Sequence, residues 1–333
     1  MEIGKSDSDF NQRFYFEDRA LLTSGISDNQ YYVKYVPIPS SLVPTTYLYI
    51  HNLTSGLQRQ TSLRTIQSTV EEVLSHIVKP KSTSPIIIQA SSRTDAGVHA
   101  FAATAHVDLT HQHEQFYNME TIVKATNKYF QRKNFHIRIT SWLEVSQDFH
   151  ARYAATSRSY LYRVIVPKEA NEKDVPVAEL YRAWDIKHSN FDAERVKLGT
   201  KLFLGPKDFQ TFAAKRYGRY KNVDIVYRRE LDYFTLEKGE PLLTEDPASK
   251  KFDYWNFKCG SKAFLYNQVR RMVGALVGLG LGKITEKDIQ CMLQVPSHHN
   301  WISGVNPGPP HGLYLCRVEY NPSELAECII RKS

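Results

Sequence analysis

Residues 263–279 read as one helix that is apolar on almost every side. Phe264, Leu265, Val269, Met272, Val273, Leu276 and Leu279 share it with Arg270 and Arg271. A helix with so little polar face belongs inside a core, yet it falls short of the roughly 18–20 apolar residues that cross a membrane. At least one of its two guanidinium groups is therefore buried or partly buried. Buried arginine is rare unless a carboxylate or a phosphate pairs with it; the alternative is a side chain that snorkels to water. The glycines at 274, 278, 280 and 282 lack the GK[ST] ending of a phosphate loop, so close helix packing is the better reading of them.

The chain around this helix has 333 residues, enough for two domains. Hydrophobic residues make up 42% and aromatic residues 12%, which excludes disorder as the main state. Cys259, Cys291, Cys316 and Cys328 are far apart and form no CxxC pair, so neither a disulfide framework nor a thiolate metal site is encoded. The formal charge of +8 allows a polyanionic partner without requiring one. Residues 1–44 differ from the rest. Glu2, Asp7, Asp9, Glu17 and Asp18 make their start too acidic for a transit peptide, and no apolar signal core is present. They read as an N-terminal extension, and the protein as soluble and intracellular, with no targeting segment to choose a compartment.

Beyond Tyr47 the periodicity tightens. Ile66, Val70, Val73, Leu74, Ile77 and Val78 form one face of a helix that Thr65 caps and Pro80 stops. Ile86-Ile87-Ile88 predicts a buried strand, and the alternation over 101–109 a half-buried one. Further helices are expected over 119–130 and 191–204, the latter ending at Gly205, and a short one after the capping box of Thr285 and Asp288. Strands are expected over 136–142, 159–166, 229–235, 254–259 and 312–320. The class is α+β, divided into an N-terminal half over 45–170 and a C-terminal half over 171–325.

Four stretches could carry chemistry. Arg93-Thr94-Asp95-Ala96-Gly97 is a polar turn between two strands, where a presented carboxylate could act as nucleophile or base with a cation nearby. An ordinary Asp-Ala-Gly surface turn has the same spacing. Arg152, Arg158 and Arg163 alternate with Phe149, Tyr153, Tyr160 and Tyr162, which suits phosphates plus stacked bases. A half-exposed strand with solvated charges explains these letters equally well. Lys215, Arg216, Arg219, Lys221, Arg228 and Arg229 could track phosphates or form a solvated loop. Arg270-Arg271 is the fourth stretch. His111/His113 and His298/His299 lack the spacing of a metal site, and no GxSxG supports a serine hydrolase.

At these residues the sequence resembles the tRNA pseudouridine synthases of the TruA type, most closely their eukaryotic branch. Arg93-Thr94-Asp95-Ala96-Gly97-Val98-His99-Ala100 matches the family's catalytic-loop motif along its whole length. Gly56-Leu57-Gln58-Arg59-Gln60, Asp148-Phe149-His150-Ala151-Arg152, Arg158-Ser159-Tyr160-Leu161-Tyr162, the block from Phe264 to Gly274, and Gly312-Leu313-Tyr314-Leu315 follow in family order. Two features depart from the pattern. Leu57 stands where the family usually has tryptophan, and the family's first strand with its Tyr-Asp-Gly loop is not recognisable.

The resemblance implies a pseudouridine synthase fold: two similar halves around a mainly antiparallel central sheet, with a basic cleft. It implies isomerisation of uridine to pseudouridine in tRNA, typically in the anticodon stem-loop, with other RNA as a further possibility. Asp95 would be the essential carboxylate, attacking the ribose C1′ or the uracil ring, or assisting a glycal route. Arg270 would pair with Asp95, Tyr160 would stack on the base, and Arg93 would hold a phosphate or the loop. Arg59, Arg152, Arg158, Lys215, Arg216, Arg219 and Arg228 are the candidate RNA contacts. A homodimer is implied, with neither metal nor organic cofactor. The rival is a non-catalytic RNA-binding or RNA-folding protein on the same scaffold.

Overall fold

The computed structural model describes residues 56–60, 62–111, 113, 117–215 and 225–329, with the backbone of 33–35. The chain forms two compact units. One comprises Met1–Thr94, Ala100–Ala155 and Tyr320–Ser333; the other comprises Asp95–His99 and Thr156–Glu319. The sequence-based division at 170 therefore falls at 155/156, with Asp95–His99 belonging to the second unit. All but the first residue of the long strand β6 (Ala155–Pro167) lies in the second unit, where it pairs with Phe252–Ser261 from Arg158 to Pro167.

In the first unit, β1 (Val33–Tyr35) runs antiparallel to both of its neighbours. It is followed by α1 (Ile66–Ile77), β2 (Ile88–Ala90), β4 (Ala105–Leu109), α2 (Met119–Arg132) and β5 (Glu144–Val145), with β3 (His99–Ala100) starting in the Asp95–His99 segment of the second unit. The sheet order is β2-β4-β1-β5. An inner strand thus lies in the stretch read as a peripheral extension: Val33 faces Leu109, and Lys34 faces Asp108 on one side and Val145 on the other. Thr65 caps α1 in a reciprocal box with Ser68, and the helix buries Ile66, Val73 and Leu74. Between α1, α2 and the sheet lies an apolar cavity of about 130 Å³ lined by residues such as Val70, Leu74, Met119 and Trp142. None of Asp95, Arg93, Tyr160 and Arg270 lines it.

Two expectations fail in this unit, for local reasons. Ile86-Ile87-Ile88 is not a buried strand. Only Ile88 enters β2, an edge strand, and Ile87 is 55% exposed. No strand forms over 136–142 either. The Asn127 amide donates to the Ile139 carbonyl and accepts from its N–H, both at 2.8 Å, and so occupies the backbone groups that a ladder would use.

In the second unit the sheet order is β10-β11-β6-β12-β3, with β7 (Trp184–Asp185) added parallel to β6. Here β10 is Tyr233–Lys238, β11 is Phe252–Ser261 and β12 is Leu313–Tyr320. A separate ribbon joins β8 (Gly205–Asp208) to β9 (Arg228–Leu231). The helices are α3 (Ala193–Thr200), α4 (Gln268–Gly280) and α5 (Glu286–Gln294), and the expected Thr285–Asp288 capping box opens α5. The apolar helix is α4, with Met272, Val273, Leu276 and Leu279 fully buried. It starts five residues later than the periodicity suggests because Asn267, at φ 61°, has left-handed backbone that no helix interior holds. Gly274 lies directly against the backbone of Asn306 and Pro307, which confirms close packing as the use of that glycine.

Arg163 is withdrawn from the stretch expected to meet RNA. Its guanidinium makes a buried, two-pronged pair with Glu179 at 2.7 and 3.1 Å and also donates to the carbonyls of Arg182 and Glu240. Glu179 in turn accepts the Leu242 N–H at 2.7 Å. Taking one partner from such a pair strands a buried charge, at a cost of about 3–5 kcal/mol. Glu179→Leu should therefore lower the unfolding midpoint more than Arg163→Met/Glu179→Leu together, as read by denaturant or thermal unfolding.

Candidate active site

The site of the second unit is built on a turn, a helix start and a loop. The turn carries Asp95. Val98 N–H donates to the Asp95 carbonyl at 3.1 Å, and the reversal needs Gly97 at φ 81°. A side chain at 97 would also press on Pro310, since a Cβ there would sit 3.1 Å from that ring. The helix start supplies Arg270, in the first turn of α4.

Arg270 is held from two sides before it reaches Asp95. Its Nε donates to the Gly308 carbonyl at 2.7 Å and its Nη1 to Asn267 Oδ1 at 2.9 Å. The same Nη1 lies 3.5 Å from Asp95 Oδ2, with the two side chains 17% and 29% exposed. Burial pushes the Asp95 carboxyl above its usual range, and the charge and hydrogen bond of Arg270 pull it partly back. The arginine that the apolar helix could not leave unpaired has its carboxylate here.

The loop from Asn306 to Gly312 acts as a rack of carbonyls. Gly308 O accepts from Arg270, Pro309 O from the Tyr162 hydroxyl at 2.7 Å, and His311 O from His99 Nε2 at 3.0 Å. His99 is also within 3.1 Å of the Tyr181 carbonyl and stacks on Tyr314 at 4.5 Å. The Tyr162 ring packs so closely on Gly308 and Gly312 that neither position has room for a Cβ. Burial raises the Tyr162 hydroxyl far above its ordinary pKa, so it stays a hydrogen-bond donor. Neither Asn267 nor the 308–311 carbonyls were singled out from the sequence, and Tyr162 was read there only as a stacking aromatic of the 149–163 stretch. The visible signal was the Gly-Pro-Pro-His-Gly run between a helix and the closing strand, a turn with a purpose.

Tyr160 lies on β6 opposite Cys259, buried, its ring edge-on to Phe264 at 5.1 Å. Burial raises its hydroxyl pKa, and the nearby Asp95 charge raises it further. Asp95, Arg270 and Tyr160 all belong to the second unit.

Arg93 is exposed and belongs to the first unit. In that unit Leu57 N–H donates to the Thr94 carbonyl at 3.1 Å, which ties the Gly56–Gln60 block to the start of the catalytic-loop motif. Arg59 pairs with the buried Glu71 while remaining 59% exposed, and Arg152 is exposed beside Tyr153.

In the second unit Arg158 donates to the Lys262 carbonyl at 2.7 Å, Lys215 reaches His299 Nε2 at 3.4 Å, and Arg228 is exposed on β9. Arg216 and Arg219 lie outside the described residues. Arg271, the second arginine of the helix, donates to the Thr211 carbonyl and stacks on Trp301 at 4.8 Å. Among the described residues no group of three or more His, Cys, Asp or Glu side chains could hold a metal ion, and no helix is long and apolar enough to cross a membrane.

A family model described as tRNA pseudouridine synthase matches residues 200–321. The chain is 33% identical over 255 residues to tRNA pseudouridine synthase-like 1 of Xenopus laevis, covering 76% of this chain and 82% of that protein. It is 31% identical over 271 residues to tRNA pseudouridine synthase-like 1 of Homo sapiens, covering 80% and 84%. Against tRNA pseudouridine synthase A of Bartonella henselae it is 29% identical, covering 80% and 94%. The chain belongs to the tRNA pseudouridine synthase family, a family of isomerases, and its eukaryotic-branch relatives match it over most of their length.

The raised pKa of Asp95 gives a test with a definite sign. A carboxyl whose folded-state pKa lies above its unfolded value keeps its proton longer in the folded chain. Folding stability then falls as pH rises from the ordinary value of 3.8 through the raised one. Asp95→Asn removes that dependence. The difference in thermal midpoint between Asp95→Asn and the parent should therefore grow in favour of the variant as pH rises across this window, and then level off. A gap that closes with rising pH would refute the assignment.

Proposed function

We propose that this protein isomerises uridine to pseudouridine in tRNA, with Asp95 as the essential carboxylate. The single observation that carries the reading is the partly buried pair between Arg270 and Asp95, the latter in the loop whose letters match the family's catalytic motif. The overall change leaves the composition of the nucleotide unchanged. The N1–C1′ bond breaks, the C5–C1′ bond forms, and the C5 proton is lost as N1 gains one. A carboxylate is suited to an electron-poor anomeric carbon, as in glycoside cleavage, but here water must stay out while the uracil turns.

Each side chain has a task in this scheme. Arg270, locked by Gly308 O and Asn267, favours the charged form of Asp95 against its burial and holds it in place. Tyr160, near enough to feel the Asp95 charge, is assigned the stacking contact with the uracil, and its high pKa keeps the hydroxyl protonated. The target uridine has to leave its stack at a cost of a few kcal/mol, which RNA contacts offset. We assign those contacts to Arg93, Arg59, Arg152, Arg158, Lys215, Arg216, Arg219 and Arg228. The anticodon stem-loop is the proposed region of the tRNA, and the working form a homodimer, with a solution mass twice the 38.4 kDa of the chain by light scattering. A tRNA substrate implies an intracellular place of action.

Pseudouridine mapping of tRNA from cells with and without the protein should show at least one site lost; an unchanged map would sink the assignment. On a purified transcript, Asp95→Asn should abolish turnover yet bind tRNA within a few-fold of the parent. Arg270→Leu should fold and be inactive, and near-normal turnover would remove Arg270 from the mechanism.

A further inference from the structure

The turn after β5 ends in an aromatic ladder for which the isomerisation site has no use. His106 is buried, and its ring meets His150 edge-on at 4.6 Å. His150 lies 4.2 Å from Tyr153, the two rings tilted by 39°. Tyr153 is 78% exposed, so most of its ring faces solvent.

Every rung beneath Tyr153 is fixed. The Ala151 N–H donates to His106 Nδ1 at 3.0 Å, and the Arg152 N–H to His150 Nδ1 at 3.1 Å, so both imidazoles carry their proton on Nε2. His150 Nε2 then donates to Gln89 Oε1 at 2.9 Å. The turn is equally constrained. Tyr153 and Ala154 both donate their N–H to the His150 carbonyl, Phe149 is buried against Tyr320, and the Tyr320 hydroxyl donates to the Ala151 carbonyl at 2.8 Å. Arg152 is exposed beside the outermost ring, its guanidinium 5.9 Å from the centroid.

A rigid, solvent-facing ring with a cation next to it is the arrangement that receives an unstacked nucleobase and its phosphate. Its rotamer is already held by His150, so little freedom is lost on binding. We propose that Tyr153 is a base-stacking platform for a second unpaired nucleotide of the RNA, separate from the uridine at Asp95, with Arg152 on the adjoining phosphate. The platform rests on the reading of RNA as substrate. It requires no particular base, since every base offers a π-face.

The test measures dissociation constants for an unmodified tRNA transcript across a range of salt concentrations, in an Asp95→Asn background so that nothing is converted. Tyr153→Phe should bind within twofold of the parent. Tyr153→Leu should bind about 5- to 150-fold more weakly, the range expected for loss of one base–aromatic stack, with an unchanged salt slope. Arg152→Gln should instead reduce the slope of log K against log salt by about 0.7–0.9, one phosphate contact. Tyr153→Leu binding within twofold, or with an altered salt slope, overturns the platform alone. A parent that binds no RNA overturns the substrate reading and the platform with it, whereas a parent that binds RNA without isomerising uridine leaves the affinity comparison intact.

Discussion

A partly buried carboxylate and a guanidinium, each costly to bury alone, organise the second unit. Asp95 pays a desolvation penalty that Arg270 only partly offsets. Arg270 would gain little by reaching Asp95 if it remained free to swing. The Gly308 carbonyl and the Asn267 side chain remove that freedom, and both lie on backbone with special requirements. Asn267 has left-handed backbone at the very start of α4, and Gly308 lies where the Tyr162 ring leaves no room for a side chain. The constraint then spreads to Tyr162, His99 and the 306–312 loop through hydrogen bonds to successive carbonyls. Strain and tight packing of this kind persist only where the surroundings over-determine them.

The sheet provides those surroundings. Strand β6 pairs with β11 from Arg158 to Pro167, and so sets Tyr160 and Tyr162 two residues apart on a rigid ladder. One residue further along, Arg163 points to the other face and is consumed by Glu179. Alternation on a single strand thus divides neighbouring polar letters between a candidate active site and a structural ion pair. Three arginines spaced along this stretch look alike in sequence and have three different fates: Arg152 is exposed on a turn, Arg158 rests on the Lys262 carbonyl, and Arg163 is buried.

Much of the candidate site was legible because its letters are local and unusual. An arginine inside an apolar helix demands a partner, and Asp95 in a glycine-closed turn is a presented carboxylate. Each inference needs only its own segment, and the structure joins the two. The α1 cap, the α5 capping box and the close-packed Gly274 were legible for the same reason. Other features were not. The strand expected over 136–142 loses its backbone groups to Asn127, a residue on a different element. The strand at Val33–Tyr35 is three residues long and lies within an acidic, proline-punctuated stretch, where no periodic signal can accumulate. The carbonyl rack was invisible because backbone oxygens carry no letter.

By itself the sequence determined the α+β class and the family, and put forward the carboxylate and the arginine as candidates, because periodicity, capping and a contiguous motif are properties of neighbouring residues. Only the tertiary structure decided which arginines are exposed and which are buried, which backbone carbonyls hold Arg270, and that Tyr153 stands exposed at the end of a fixed aromatic ladder. Those outcomes depend on residues from different elements, such as Arg270 and Gly308 at 38 positions apart or Tyr320 and Ala151 at 169, competing for the same donors, acceptors and space. That competition is settled by packing and by the cost of leaving a buried polar group unpaired.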